Sequence, residues 1–129
     1  MDIWDYHNEH WDDDRASFSV RMRGLLAICD LRQEVNSDGF EGYLSYSWGN
    51  TAPDALAALP ETLGTEWAAI LREAMSLVGD PYPLDPNARA ALLDAGGPDT
   101  RGVLSKLDER FDELEGTTEA DAILTACME

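Results

Sequence analysis

Two stretches of this chain bring together residue types able to do chemistry at close quarters. His7-Asn8-Glu9-His10, followed by Asp12-Asp13-Asp14, sets two imidazoles three residues apart beside a run of carboxylates. On a helix that spacing puts both rings near one face, where they can share a divalent ion with a carboxylate completing the site. Metal ligands of this kind sit on a packed scaffold, however, and this segment is terminal and polar. The expectation is therefore no metal and no cofactor. The second stretch, residues 108 to 115, holds Asp108, Glu109, Asp112, Glu113 and Glu115 against the single basic Arg110, a net of −4. Along a helix it spans about 12 Å, or one charge per roughly 3 Å, near the axial charge density of one DNA strand. A solvated acidic helix carries the same count, so the match permits imitation of a phosphate backbone without requiring it.

Nothing else in the sequence carries a reaction. There is no phosphate-binding Gly-rich loop, no Gly-x-Ser-x-Gly and no Cys-x-x-Cys. Carboxylates are so numerous that no acid–base pair stands out from the rest. No catalytic residue is expected, and a metal-dependent enzyme using the N-terminal His and acid cluster ranks behind every binding function.

The charge balance points to the partner class. The 26 Asp and Glu face 9 Lys and Arg, for a formal net charge of −17. Such a field repels nucleic acid and anionic membranes and attracts basic protein surfaces. It also makes an ordinary acidic, highly soluble protein, which is the plainer explanation. The 129 residues, 44% hydrophobic, suit one domain able to bury its own core. Cys29 and Cys127 lie near opposite ends and read as free thiols in a reducing compartment. The acidic start Met1-Asp2-Ile3-Trp4-Asp5 lacks a signal-peptide core, and no run reaches the roughly 18 apolar residues of a membrane span. A cytoplasmic location is the default expectation.

The elements that position these residues read as helices throughout. Residues 1–14 form an acidic arm, docked through Trp4 and Trp11, and residues 15–129 form the helical domain. Asp12, Asp13 and Asp14 read as the cap and first-turn acids of a long helix from about residue 13 to 35, with Phe18, Met22, Leu25, Leu26 and Cys29 on its apolar stripe. Asn36, Asp38 and Gly39 form the turn that ends it. Asn36 terminates that helix and Asp38 caps the next, while Phe40 and Tyr43, three apart, anchor the following short helix. Pro60 either kinks the next helix or ends it near Ala58. A clean stripe of Trp67, Ile70, Leu71, Ala74, Leu77 and Val78 marks a helix over 65–78. The Pro-rich segment 79–86 is a stiff crossover. A short helix over 87–95 has Leu92 and Leu93 inward, and Gly96-Gly97-Pro98 breaks it. Val103, Leu104, Leu107, Phe111 and Leu114 line the helix after that, and a last helix covers about 118 to 128. With no useful alternation and no repeat, the fold class is all-α, a single-domain compact bundle of about six to eight helices.

The turn Val35-Asn36-x-x-Gly39-Phe40-x-x-Tyr43 after the first long helix, an alanine-rich helical pair, a proline-containing loop and Leu107-Asp108-Glu109-Arg110-Phe111 occur together here. In this the chain resembles the bacterial family named for DNA mimic protein nineteen, over roughly residues 15 to 127. Gly42 and Pro60 depart from the family pattern. The resemblance implies an all-helical, non-enzymatic acidic protein, and a naming member that imitates the phosphate pattern of duplex DNA and occupies a DNA-binding surface. Fold transfers across such a family better than function.

The leading expectation is thus an acidic binding protein, acting as a DNA mimic on a basic, DNA-binding protein partner. Its binding residues are Asp108, Glu109, Asp112, Glu113 and Glu115, joined by Asp12, Asp13 and Asp14. Direct nucleic-acid and membrane binding are not expected, and a homodimer is compatible with the sequence. The alternative is an immunity- or antitoxin-like inhibitor, or a general interaction module.

Overall fold

The computed structural model describes residues 1–129, and every regular element in it is helical. Six α-helices follow one another: α1 (Ile3–His10), α2 (Val20–Ser45), α3 (Ala52–Ala58), α4 (Thr65–Ser76), α5 (Pro86–Thr117) and α6 (Ala120–Ala126). Short 3₁₀ turns at Arg15–Ser17, Ser47–Thr51 and Leu59–Glu61 join them. The all-α, single-domain expectation holds.

The N-terminal stretch is more regular than the sequence suggested. Asp2 accepts from the Asp5 backbone N–H while the Asp5 side chain accepts from Asp2, a reciprocal cap that starts α1 despite its acidity. The helix docks through Ile3 and His7, both buried, whereas Trp4 is half-buried and Trp11 is exposed. Of the two tryptophans expected to dock the arm, Trp4 does pack against the core, and Trp11 does not. The long helix does not begin at Asp12-Asp13-Asp14 either. Asp14 caps the 3₁₀ turn by accepting from Ala16 N–H, and Ser19 caps α2 by accepting from Met22 N–H. Phe18 between them takes an extended conformation, which stops the two from merging.

The break after that helix comes down to one residue. Asn36, Ser37 and Asp38 stay helical, and the backbone departs only at Gly39, with φ 72° and ψ −179°. That region is essentially closed to residues with a Cβ. Helical geometry resumes at Phe40, so α2 is two helices hinged at Gly39. Gly97 (φ 61°) plays the same part in α5, immediately before Pro98. At Pro60 the second alternative is realised: α3 ends at Ala58 and a 3₁₀ turn carries the proline.

The core lies between α2 and the helices wrapped about it. Leu25, Leu26, Ile28, Leu31, Phe40, Tyr43 and Leu44 of α2 are at most 1% exposed. Edge-to-face rings run from Tyr43 to Phe40, Phe40 to Phe111 and Phe111 to Trp67, joining α2, α5 and α4. Phe40 and Tyr43 are the buried anchors that their spacing indicated, and Phe111 is the partner it did not name. Leu92 and Val103 point outward instead, at 46% and 38% exposure, because Gly97 re-aims the chain between them.

Gly42, one of the two departures from the family pattern, is also explained. A Cβ there would sit 2.5 Å from Asp38 Cβ, so packing across the Gly39 hinge leaves no room for a larger side chain.

Candidate functional site

The acidic residues of α5 divide into two groups by what they touch. Asp108 Oδ1 accepts the Phe40 backbone N–H at 2.8 Å, supplying the cap that the sequence assigned to Asp38. Its carboxyl is held above the usual range mainly by burial, with the Asp112 and Glu41 charges adding and the Phe40 N–H opposing. Glu115 receives a two-point grip from Arg32, at 2.8 Å from Nε and 2.7 Å from a terminal nitrogen, and a hydrogen bond from Asn36 at 3.0 Å. Asn36 therefore ties α2 to α5 and does not end a helix. Both carboxylates serve the fold first.

Glu109, Asp112 and Glu113 are exposed. No hydrogen bond or salt bridge engages their side chains, so their charge is free for a partner. Arg110, the one cation among them, is taken up by Glu73 of α4 at 2.9 Å. Glu66 of α4 and Glu113 line the same shallow groove between the two helices. The hinge at Gly39 adds acids that the sequence treated only as turn residues. Asp38 and Glu41 are exposed on α2, and Glu41 lies close enough to Asp108 for its charge to act on that carboxyl. Beneath them Glu34 is held above its ordinary value by burial first, then by its contact with Asp38. One acidic face thus runs from α2 across the hinge onto α5. It was illegible in sequence because the two halves lie about seventy residues apart.

Asp12, Asp13 and Asp14 are all exposed. No contact joins them to the α5 acids. Asp13 Oδ2 sits 2.7 Å from His10 Nδ1, and Asp14 is spent on its cap.

The histidines go separate ways. His10 packs against Tyr6 and Phe18, whereas His7 is buried with Nε2 2.7 Å from Asp30 Oδ1. Asp30 is itself buried and receives Arg15 on both oxygens (2.7 and 3.1 Å) and the Thr51 hydroxyl at 2.9 Å. No group of three or more His, Cys, Asp or Glu side chains is placed to hold a metal ion. Burial pushes the Cys29 thiol up to about 12, so it packs as a small apolar group.

Sequence reasoning missed Arg89 and did not name the acids that Arg32 pairs with. Arg32 holds Glu115 and Asp121 together and lies over the Trp4 ring, 5.4 Å from its centroid. Arg89 is completely buried and donates only to neutral oxygens: Leu44 O (2.7 Å), Pro83 O (2.7 Å), Tyr46 O (2.9 Å) and Asn50 Oδ1 (2.8 Å). Tyr82 covers it face-on at 5.1 Å and donates to Gly49 O at 2.7 Å. The only sequence signal was an arginine on the inward side of a short helix after a Pro-rich crossover. Because Arg32 and Arg89 are turned inward, two of the nine basic residues are withdrawn from the surface.

A family model described as DMP19-like protein matches residues 16–128. No curated protein and no solved structure matches the chain.

Proposed function

The chain belongs to the DMP19-like protein family, and on that premise we propose that it is a non-enzymatic acidic binding protein that occupies the DNA-binding surface of a basic protein. The observation carrying this reading is the set of exposed, unpaired carboxylates Glu109, Asp112 and Glu113 on α5, with Glu41 of α2 set against the same helix beside Asp108. These carboxylates are exposed, lack intramolecular cations and stand on helices, so their spacing is fixed before binding. A preformed row of anions costs little ordering entropy when it meets a row of Lys and Arg. At a net charge of −17 the whole field steers a basic partner toward it.

The test is competition. A captured DNA-binding partner should release duplex DNA when this protein is added, and the exchange should weaken steeply with salt. Simultaneous binding of both, without mutual weakening, overturns the reading. An immunity-like inhibitor would also respond to charge but competes with DNA only if its target is a nuclease. That outcome is recognised by loss of the target's catalysis.

A further inference from the structure

We infer that Glu34 and Asp38, a carboxyl pair beside the Gly39 hinge, receive one basic side chain of the partner. This rests on the reading of the partner as a basic protein and locates where its charge enters α2. The two residues are four apart on one face of the helix. Gly42 lies on the same face, and it has no side chain to keep them apart. The point where a Gly42 Cβ would stand is 3.5 Å from Glu34 Oε1 and 3.5 Å from Asp38 Cγ.

Glu34 is the exception among the acids that are not exposed, namely Asp30, Glu34, Asp108 and Glu115. Asp30 receives Arg15, His7 and Thr51, Asp108 receives the Phe40 N–H, and Glu115 receives Arg32 and Asn36. Glu34 is 8% exposed, and no donor of this chain reaches its carboxyl group. It faces a second acid instead. Buried carboxylates are ordinarily paired or hydrogen-bonded, and two in contact need a proton or a cation to relieve their repulsion. Burial first, then the contact with Asp38, holds Glu34 above its ordinary value. Asp38 is the only charged group that acts on it, from α2 or from α5 packed alongside. Arg32, two residues before Glu34, is held by Glu115 and Asp121, while Asp108 is influenced by Asp112 and Glu41.

The cation must therefore come from outside the chain. A divalent metal finds too few ligands, because no three such side chains converge. Asp38 is exposed, so the pair is open to solvent at that end. A lysine or arginine carries its charge on a long apolar stem, suited to reaching an inner carboxyl group past an outer one. Proton and cation compete for the same place. Binding thus strengthens as pH rises through the titration of the pair and weakens as pH falls.

The test uses the full chain and no partner protein. N-acetyl-tetralysine amide is titrated against it while the Glu34 and Asp38 carboxyl carbon signals are followed by NMR across pH. The expected result is saturable shifts at both residues, with the Glu34 titration midpoint moved to lower pH by the peptide. Glu34→Gln should weaken peptide binding by about tenfold, and Glu109→Gln should weaken it less. Peptide shifts that spare the pair, an unmoved Glu34 midpoint, or equal affinity in Glu34→Gln overturn the proposal. So does sodium chloride of matched ionic strength reproducing the shifts, which would reduce them to screening. Magnesium chloride saturating the pair where the peptide does not would assign it to a metal and overturn the proposal as well. Because neither partner nor DNA is present, failure here leaves the DNA-competition result untouched, and failure of that competition leaves this one standing.

Discussion

Asp108 caps the helix that restarts at Phe40, its Oδ1 accepting the Phe40 N–H at 2.8 Å across 68 residues of sequence. The acidic helix and the α2 hinge are therefore one mechanical unit. Asp108→Ala removes the cap and should cost about 1 kcal/mol in chemical denaturation, within the usual range for a lost helix cap. Glu109→Gln, on an exposed and unpaired carboxylate, should stay within about 0.5 kcal/mol. Equal losses in the two variants would show that the cap contributes nothing.

Phe40 occupies the centre of the ring chain from Tyr43 to Phe111 and is fully buried. Phe40→Ala should lower stability by about 3–5 kcal/mol, combining lost transfer energy with the cavity it leaves. A loss under about 1 kcal/mol would mean that the site collapses freely and anchors nothing.

Acid should stabilise this protein before it destabilises it. Glu34 and Asp108 both titrate above their ordinary values of 4.5 and 3.8 in the folded chain, each mainly through burial. In the window between those ordinary values and the raised ones, the folded state takes up protons that the unfolded state does not. Stability therefore rises as pH falls through that window. Asp121 behaves oppositely: the Arg32 and Trp4 hydrogen bonds hold it below 3.8, so its contribution is present above that value and lost beneath it. The melting temperature should therefore rise as pH falls toward the ordinary values of 4.5 and 3.8 and drop once pH passes below 3.8. Glu34→Gln combined with Asp108→Asn should flatten the rise; an unchanged profile would assign it to general charge repulsion.

Much of the fold was legible because apolar spacing reports helices directly. The stripe of Trp67, Ile70, Leu71 and Ala74 gave α4, and Gly97 before Pro98 gave the break in α5. The Asn36–Asp38 turn was misplaced because turn residues also tolerate a helix, and tertiary contacts decided between the two. Asn36 donates to Glu115, and Asp38 packs against Gly42. The candidate site was half legible for a related reason. Charge can be counted along one helix, but whether a carboxylate is free depends on cations that arrive from elsewhere. Arg32 removed Glu115 from the face, the Phe40 N–H removed Asp108, and the fold brought in Glu41 instead.

Arg89 gathers Leu44, Tyr46, Asn50 and Pro83 by four hydrogen bonds without any carboxylate. Arg89→Met should cost about 3 kcal/mol or more, since several buried oxygens lose charged donors together. Arg89→Lys should rescue little of it, because one ammonium lacks the planar fork that reaches all four. Full rescue by lysine would reduce the residue to a simple buried charge.

Asp112→Asn with Glu113→Gln deletes two exposed charges while keeping side-chain size. Partner affinity should fall by about tenfold or more if both meet cations at a desolvated interface, with stability unchanged. The salt dependence of binding should become shallower in the same variant. Undiminished affinity would move the interface away from α5.

The two ends of the polypeptide are stitched to each other: Ile3 N–H donates to Thr125 Oγ1 at 3.1 Å, and Trp4 Nε1 donates to Asp121 at 2.8 Å. In outline the backbone is almost a closed ring. A short flexible bridge from Glu129 to Met1 would complete it, and the ring can be reopened at Gly97, where no neighbour lies within 4 Å of the position a Cβ would take. The permuted chain would begin with the acidic half of α5 and end with its short first half. A fusion or an immobilising tag would then join at the α5 break and leave the contacts of Ile3 and Trp4 with α6 undisturbed.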